Sequence, residues 1–291
     1  MKRSLILVFI LMLSLLLNLT ACGDKITDET KDENDKNVLE ETMKIGLFTD
    51  PHYYTDTNKE TGGESLAQKK IKEAMEYFLA AEVDMILCLG DLTDSENQDG
   101  SEPDPLGKIM EVIDTYDIPF YCVPGNHDYL HYDVETFLEK SHTPELPCLI
   151  DTPTHTLILL DGNYRSDMRR YDVAGVDWTD SNLIPEHVAF LKDALENSEK
   201  PCIIFVHQNL DFNVGWKPCI IKNAAEVREL LEASGKVPLV IQGHFHLGAD
   251  NVIGGIRYYT IEGMYDNEGN RVCILELSDK GCSIEKIEFS R

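Results

Sequence analysis

The chain alternates between short, almost uniformly apolar runs and longer segments in which apolar residues recur every three to four positions. A short apolar run predicts a buried β-strand, and the three-to-four spacing predicts an amphipathic helix. The predicted strands are 44–50, 83–91, the first part of 118–128, 201–208 and 237–246. The predicted helices are 65–82, 104–117, 185–198 and 224–234. This alternation predicts a layered α/β domain.

Antiparallel hairpins are predicted at 148–163 and in the tail after residue 256. They imply either one mixed sheet or two packed sheets. A tight turn at 278–281 would pair Leu277 with Cys282 and leave Cys273 farther along the strand. We therefore predict no disulfide between Cys273 and Cys282.

The N-terminal segment has the pattern of an export signal. A short basic stretch is followed by an apolar run at 5–17 and by Leu19-Thr20-Ala21-Cys22, which resembles a bacterial lipobox. The alternatives are an ordinary signal peptide or a membrane anchor that contains Cys22. We predict that residues 1–22 are a lipoprotein signal peptide. The mature protein would then be lipid-anchored through Cys22 on the extracytoplasmic face of the cell membrane.

Residues 23–41 are acidic and nearly free of large apolar side chains, so they predict a flexible, solvated spacer. The remaining residues, 42–291, suit a single domain of the larger kind with a sizeable core.

The charge balance narrows the classes of partner. The chain has 52 acidic and 26 basic residues and a formal net charge of -26. A protein that binds the phosphate backbone needs a basic stripe, so no nucleic-acid partner is expected. An anionic substrate would need a local source of attraction, such as a metal ion.

The eight cysteines do not form a metal-binding motif, because no CxxC or comparable spacing occurs. An exported protein is open to oxidation. Cys88, Cys122 and Cys202 nevertheless lie inside apolar runs, which favours burial as small hydrophobic side chains.

Polar side chains of the kinds that bind metals follow five predicted strands. They are Asp50 and His52, Asp91, Asn126 with His127 and Asp128, His207, and His244 with His246. Ligands of open α/β sheets bind outside the carboxyl ends of the strands, so these side chains are expected to meet.

The spacing adds a geometric expectation. On an extended segment, residues two positions apart point the same way, so Asp50 and His52 would converge on one ion. By the same argument His244 and His246 would serve one ion or two adjacent ions. Carboxylate, amide and imidazole ligands without cysteine suit Mn, Fe or Zn, and they exclude a structural zinc site.

These motifs resemble the signature of the calcineurin-like metallophosphoesterases. They are Asp50-x-His52, Gly90-Asp91-x-x-Asp94, Gly125-Asn126-His127-Asp128, His207, and Gly243-His244-x-His246. The resemblance implies a four-layer α/β/β/α sandwich of two mixed sheets flanked by helices. It also implies two divalent transition-metal ions bound at the strand ends.

The resemblance assigns a role to each residue. Asp50, His52, Asp91 and His246 would hold the first metal ion. Asp91, Asn126, His207 and His244 would hold the second, so that Asp91 bridges the two. His127 would face the substrate and protonate or stabilise the leaving oxygen, with Asp128 orienting its ring.

This arrangement predicts a phosphoric ester hydrolase. Two metal ions about 4 Å apart clamp a phosphoryl group and lower the pKa of a bound water towards roughly 7, and the resulting hydroxide attacks phosphorus in line. Two carboxylate ligands do not neutralise two divalent ions, so the site stays locally positive and attracts phosphate. We predict an exported, membrane-tethered phosphoesterase acting on small phosphomonoesters or phosphodiesters.

Two other functions compete with this prediction. A non-catalytic, metal-binding surface lipoprotein of the same fold would need no proton donor, so the His127–Asp128 pair argues against it. A nuclease of the same superfamily is disfavoured by the acidic charge.

Two positions depart from the patterns of related enzymes. Gln208 stands beside His207 where many relatives have a second His or a Pro, which leaves the substrate contacts open. Asp94 stands where purple acid phosphatases carry a Tyr ligand, so no purple ferric chromophore is expected. We interpret Asp94 as a loop or supporting residue rather than a ligand.

Residues outside the motifs are candidates for substrate contacts. Tyr53 and Tyr54 either line the pocket or pack the loop. Trp178 and Trp216 either stack on a base or are buried, and burial is the simpler expectation. Arg165, Arg169 and Arg170 either face the phosphate or lie in a solvated loop, and the loop is favoured. Substrate choice is expected to lie in the loops 53–63, 95–103 and 209–223.

Overall fold

The computed structural model describes residues 41–53, 65–94, 104–130, 132–172, 177–265 and 269–289. The predicted signal peptide, nearly all of the predicted spacer, Tyr54 and the loops at 54–63 and 95–103 lie outside the described residues. Within the described part, no helix has the length and hydropathy of a membrane-spanning segment.

The described residues form two sheets and five α-helices. The strands are β1 (Met43–Phe48), β2 (Met85–Cys88), β3 (Phe120–Cys122), β4 (Cys148–Asp151), β5 (Thr156–Leu159), β6 (Cys202–Val206), β7 (Leu239–Gln242), β8 (Ala249–Ile253), β9 (Ile256–Thr260), β10 (Asn270–Ser278) and β11 (Gly281–Phe289). The helices are α1 (Leu66–Ala80), α2 (Pro105–Ile113), α3 (Val134–Lys140), α4 (Pro185–Asn197) and α5 (Ala224–Ser234). Short 3-10 helices span Asp114–Tyr116, Asp128–Leu130 and Lys217–Cys219.

Both sheets are mixed. The first has the strand order β11-β10-β1-β2-β3, and the second has the order β4-β5-β6-β7-β9-β8. Strands β1, β2 and β3 run parallel, as do β5, β6, β7 and β9. The strands that precede the predicted site residues therefore belong to the parallel parts of the two sheets, with β3 at the edge of the first sheet.

Three apolar clusters show the layering. Ile45, Leu87, Leu157, Phe205 and Ile241 are among the side chains buried between the two sheets. Helices α1, α2 and α3 cover the outer face of the first sheet, with Phe78 and Phe137 buried there. Helices α4 and α5 cover the outer face of the second sheet. The predicted four-layer α/β/β/α sandwich is confirmed.

Two elements were not predicted. Helix α3 has seven residues, too few to establish a helical period, and it depends on the Asp133 N-cap and on burial of Phe137. Strand β8 pairs with β9 through a turn at Gly254 and Gly255, whose φ angles of 59° and 84° are left-handed. The Gly-Gly dipeptide is the sequence signal for this hairpin.

The predicted turn register and the state of the cysteines agree with the structure. Leu277 pairs with Cys282, and Cys273 pairs with Lys286. Cys273 and Cys282 are both free thiols. Cys88, Cys122 and Cys202 are fully buried in the cores, as their apolar surroundings predicted.

Candidate metal centre

All seven predicted metal ligands follow strands in the parallel parts of the two sheets. Asp50 and Asp91 follow β1 and β2, Asn126 follows β3, and His207 follows β6 directly. His244 follows β7, and His52 and His246 lie two residues beyond Asp50 and His244. The packing of the sheets brings these loops together at one end of the sandwich, where they surround one cavity.

The first group of side chains is Asp50, His52 and His246. The Nε2 atom of His246 lies 3.1 Å from Asp50 Oδ1 and 3.3 Å from His52 Nε2. His52 Nε2 also lies 3.7 Å from Asp50 Oδ1 and 3.7 Å from Asp91 Oδ2. One donor atom from each of Asp50, His52 and His246 lies within 4.8 Å of the others, a spacing that a single cation can bridge.

The second group is Asp91, His207 and His244. His207 Nε2 lies 3.3 Å from Asp91 Oδ2 and 3.2 Å from His244 Nδ1. Asp91 Oδ2 is thus near His52 on one side and His207 on the other. Its carboxylate stands between the two groups, in the position of a bridging ligand.

Unpartnered polar atoms in the site fit bound cations. Asp50 Oδ1, Asn126 Oδ1 and His244 Nε2 are buried and have no hydrogen-bond partner. A buried polar atom left unsatisfied costs about 1–3 kcal/mol, so an acceptor in such a position is usually completed by a ligand. All three belong to predicted metal ligands, and their oxygen and imidazole chemistry suits divalent transition metals.

Left-handed backbone, rather than extended strand, makes these side chains converge. The φ angles are 51° at Asp50, 47° at His52, 49° at Asp91 and 66° at His244. Asp50 and His52 converge as expected, but the extended backbone assumed for that expectation is wrong at both pairs. His244 and His246 turn towards different groups. Each left-handed non-glycine residue costs on the order of 1–3 kcal/mol, and such strain concentrates at functional sites.

Backbone hydrogen bonds and two glycines hold the loops in this conformation. Asp50 and His52 donate their amides to Gly90 O and Asp91 O, both at 3.0 Å. A Cβ at Gly90 would lie 2.5 Å from His207 Nδ1, and one at Gly125 would lie 2.1 Å from Asp91 Oδ1. Both motif glycines are thus needed because the neighbouring ligand side chains approach the backbone closely.

Supporting hydrogen bonds set which atoms face the centre. His207 Nδ1 donates to Leu89 O at 2.6 Å, which turns its Nε2 towards Asp91 and His244. Asp91 Oδ1 accepts the His127 amide at 2.8 Å, so Oδ2 is the oxygen that points between the groups. Thr49 Oγ1 and the His244 amide donate to Asp50 Oδ2, at 2.5 Å and 3.1 Å. In this way Asp50 Oδ1 is directed inward.

The carboxylate that contacts the His127 ring is Asp94. His127 Nδ1 lies 3.1 Å from Asp94 Oδ1, and the ring lines the cavity beside His52. Asp128 instead accepts the amides of Thr93 at 3.0 Å and Gly125 at 2.8 Å. The expectation that Asp128 orients His127 is therefore wrong. Asp128 holds the loops after β2 and β3 together through these two amides. Asp94 orients the His127 ring, which agrees with its interpretation as a supporting residue.

The charges of the centre are coupled. Burial by itself would raise the pKa values of Asp50 and Asp91, but positively charged histidines outweigh it and lower both. Burial would lower the pKa of His207, but Asp91 outweighs it and raises that pKa to about 9. Burial and the charge of His207 lower the pKa of His244 to about 3. A cation and a proton therefore compete for His207.

A cavity of about 800 Å³ opens over the centre. Its lining residues are His52, Asp91, Asn126, His127, Trp178, Gly215, Trp216, Cys219, His244, Phe245, His246 and Leu247. No lysine or arginine of the described residues is among them. Away from the candidate ligands, the walls are mostly apolar.

Of the other candidate substrate residues, some line the cavity and others do not. Trp178 and Trp216 line the cavity, and Trp216 is 53% exposed, so the expectation of burial is wrong for Trp216. Tyr53 is buried. Gln208 is buried and donates to Asn163 Oδ1 at 2.6 Å, away from the cavity.

The three arginines lie outside the cavity lining, as the loop interpretation favoured. Arg170 pairs with buried Asp161 at 3.4 Å and so has a structural role. Arg165 and Arg169 contact nearby aspartates of their own loop. Tyr265, which the sequence analysis did not select, lies beside His52 at a ring-centroid distance of 5.2 Å. Its sequence context carries no signal for this position.

Comparisons with known proteins agree with the fold and identify a family. The sequence profile of the calcineurin-like phosphoesterases matches residues 43–248. A 3′,5′-cyclic adenosine monophosphate phosphodiesterase of Haemophilus influenzae is 24% identical over 216 residues, covering 70% of each chain. A probable cyclic nucleotide phosphodiesterase of Psychrobacter arcticus is 23% identical over 242 residues, covering 77% of this chain and 81% of that one.

Solved structures show the same architecture. The crystal structure of a dimetal phosphatase from Danio rerio superposes with a TM-score of 0.70 at 17% identity, covering 85% of this chain and 99% of that chain. The profile match includes every strand end that contributes a candidate ligand. The chain therefore belongs to the calcineurin-like phosphoesterase family.

Proposed function

We propose that the protein is an exported, membrane-tethered, dinuclear metal-dependent phosphoesterase that hydrolyses small phosphodiesters. The observation that carries the proposal is the position of Asp91 Oδ2, 3.7 Å from His52 Nε2 and 3.3 Å from His207 Nε2. One carboxylate between two groups of ligand atoms is the arrangement expected of a two-metal site.

The candidate ligands divide between two ions according to which side chains lie close together. Asp50, His52, Asp91 and His246 would hold one, and Asp91, Asn126, His207 and His244 would hold the other. When bound, two such ions polarise the phosphoryl oxygens and supply a nucleophile at neutral pH. The donor set suits Mn, Fe or Zn.

The chain itself supplies positioning and a proton. His127 lines the cavity with Nδ1 against Asp94, and its ring is held edge-on to His52 at a centroid distance of 4.6 Å. We assign its Nε2 as the atom that donates a proton to the leaving oxygen. The mostly apolar walls of the cavity limit the access of bulk water.

The charge of the cavity favours diesters. A phosphomonoester carries close to two negative charges at neutral pH, whereas a diester carries one. Beyond the metal ions, the described lining contains no lysine or arginine to balance the second charge. Two relatives are named as cyclic nucleotide phosphodiesterases, which is consistent with this choice.

Export and tethering rest on the sequence. The basic residues, the apolar run and the lipobox-like Leu19-Thr20-Ala21-Cys22 support lipidation at Cys22. The full chain should fractionate with membranes, and Cys22→Ser should release it or block its processing. Fractionation of the Cys22→Ser protein indistinguishable from that of the full chain would contradict the anchor.

Metal content and hydrolysis should be measured together on the full chain in detergent. With added Mn, we expect two ions per chain and faster cleavage of bis-p-nitrophenyl phosphate than of p-nitrophenyl phosphate. Asp91→Ala should abolish turnover, whereas Asp279→Ala, in the turn between β10 and β11, serves as a matched control that retains it. Two bound ions without turnover on a broad panel of phosphoesters would favour the non-catalytic lipoprotein.

A further inference from the structure

Both tryptophans of the chain lie in the wall of the cavity. The rings of Trp178 and Trp216 are 5.0 Å apart between centroids, at an interplanar angle of 49°. Trp178 in turn lies 5.8 Å from the ring of the candidate ligand His244. A row of aromatic rings therefore runs from the candidate metal centre towards the mouth of the cavity. We call Trp178 and Trp216 the tryptophan wall.

Trp216 is exposed although its backbone is firmly held. Its side chain is 53% exposed, and its carbonyl accepts the Cys219 amide at 3.2 Å. The Cys219 carbonyl accepts the Asn209 amide at 3.0 Å, and Asn209 Nδ2 donates to Gly243 O at 3.3 Å. The loop that carries Trp216 is thus fastened to the strand ends that position His207 and His244.

The rest of the outer cavity is apolar and closely built. Phe245 and Leu247 also line it. A Cβ at Gly215 would lie 3.0 Å from Phe245 Cζ, so this glycine permits close contact between the two loops. A rigid, flat and exposed indole beside a phosphoryl site matches a planar ring better than a flexible chain, because aromatic pairs favour stacked or edge contacts.

We propose that Trp216, supported by Trp178, is a specificity-determining residue that stacks on a planar aromatic group of the phosphodiester. The chemical class is a nucleobase joined to the phosphorus through one sugar. The proposal rests on the proposed function, since the phosphoryl group must occupy the candidate metal centre. Trp216 would thus recognise the nucleobase, the part of the substrate that the metal ions do not bind.

Intrinsic fluorescence tests the contact directly, because the only two tryptophans both lie in the wall. The full-length, Mn-loaded protein should be titrated with adenosine 5′-monophosphate and, separately, with ribose 5-phosphate, which lacks the base. We expect saturable quenching by the first and at least about ten-fold weaker binding of the second, the size of effect that base stacking gives. Hexyl phosphate tests for an aliphatic chain instead.

Substitutions separate a binding role from a structural one. Trp216→Leu should weaken binding of adenosine 5′-monophosphate about ten-fold, and Trp216→Phe should restore most of it, because a flat ring suffices. Phe212→Leu is the matched control, since Phe212 is a 43% exposed aromatic of the same loop outside the cavity lining. Metal content of each variant reports whether the site is intact.

Kinetics on a matched pair of esters distinguish this proposal from the proposed function. Adenosine 2′,3′-cyclic phosphate and methyl riboside 2′,3′-cyclic phosphate share the reacting ring and differ in the base. Trp216→Leu should raise the KM of the first about ten-fold more than that of the second, and kcat should change little.

Each outcome has one meaning. Equal losses on both esters, or equal quenching by adenosine 5′-monophosphate and ribose 5-phosphate, would overturn the stacking role while leaving hydrolysis intact. Quenching by hexyl phosphate as strong as that by adenosine 5′-monophosphate would overturn the role of the base and indicate that the wall binds an alkyl chain. Base-dependent quenching without turnover of any ester would support the tryptophan wall and contradict the proposed function.

Discussion

Asp94 Oδ1 lies 3.1 Å from His127 Nδ1, although the two residues are 33 positions apart in sequence. The second oxygen of the same carboxylate lies 3.7 Å from His52 Nδ1. Asp94 thus connects the proposed proton donor with a candidate metal ligand, and it sets the orientation of the His127 ring in the cavity.

Asp94→Asn should lower kcat and leave KM nearly unchanged. The amide keeps the size of the side chain but loses the charge that stabilises the protonated ring and its orientation. A positioned proton donor contributes about 10²–10⁴-fold, so a ten-fold or greater fall in kcat is expected. Steady-state kinetics should be measured on one ester with an activated leaving group and one with a poorly activated leaving group. The fall in kcat should be larger for the second ester. Asp167→Asn, on an exposed loop, is the control, and equal kinetics of Asp94→Asn and the parent would refute the role.

Metal affinity should rise with pH. Asp91 raises the pKa of His207 to about 9, so in the metal-free protein its ring is protonated at neutral pH. A metal ligand must be neutral, so binding releases this proton and affinity increases until the pH passes about 9. Titration calorimetry with Mn at pH 6.5, 7.5 and 8.5 should show about a ten-fold gain per unit for one displaced proton. Repeating the titration in buffers of different ionisation enthalpy gives the number of protons released per bound ion. An affinity that does not change with pH would contradict the prediction.

Removing metal should destabilise the fold. Asp50 Oδ1, Asn126 Oδ1 and His244 Nε2 lack hydrogen bonds, and the left-handed residues around them are strained. Ligand binding at about 100 times Kd adds about 2.7 kcal/mol to the free energy of unfolding. Thermal unfolding with EDTA should give a lower Tm than with Mn, and Asp91→Ala should show a much smaller difference. A Tm that EDTA leaves unchanged would indicate that the site holds no stabilising cation.

Asn163 should stabilise the second group of ligands through hydrogen bonds to the loops that carry Asn126 and His207. Its Nδ2 donates to Pro124 O, in the loop that leads to Asn126, and its Oδ1 accepts from Gln208, the neighbour of His207. Asn163→Ala would leave several buried polar groups unsatisfied, at about 1–3 kcal/mol each. We expect a lower Tm and weaker binding of one of the two ions.

The matched control for Asn163 is Asn251→Ala on edge strand β8, which removes a single hydrogen bond to Asp211. Urea unfolding and metal titration on both variants provide the comparison. A loss of metal affinity in Asn251→Ala equal to that in Asn163→Ala would show that the effect is not specific to the site.

Most of the strands and helices, and the candidate ligands, were readable from the sequence alone. Apolar runs and helical spacing are local properties, so burial of each element follows from its own residues. Asp50, Asp91, Asn126, His207 and His244 were recognisable together, because five separate strand ends carry side chains of the types that bind metals. The resemblance to a known family then ordered them into two groups.

Only the tertiary structure decided how those residues act together. The family resemblance suggested Asp128 as the partner of His127, but the fold places Asp94 there because the loops after β2 and β3 meet at the site. Left-handed angles at Asp50, His52, Asp91 and His244 depend on backbone bonds between distant loops. The exposure of Trp216 is likewise set by how its loop is fastened beside His244, which no local pattern encodes.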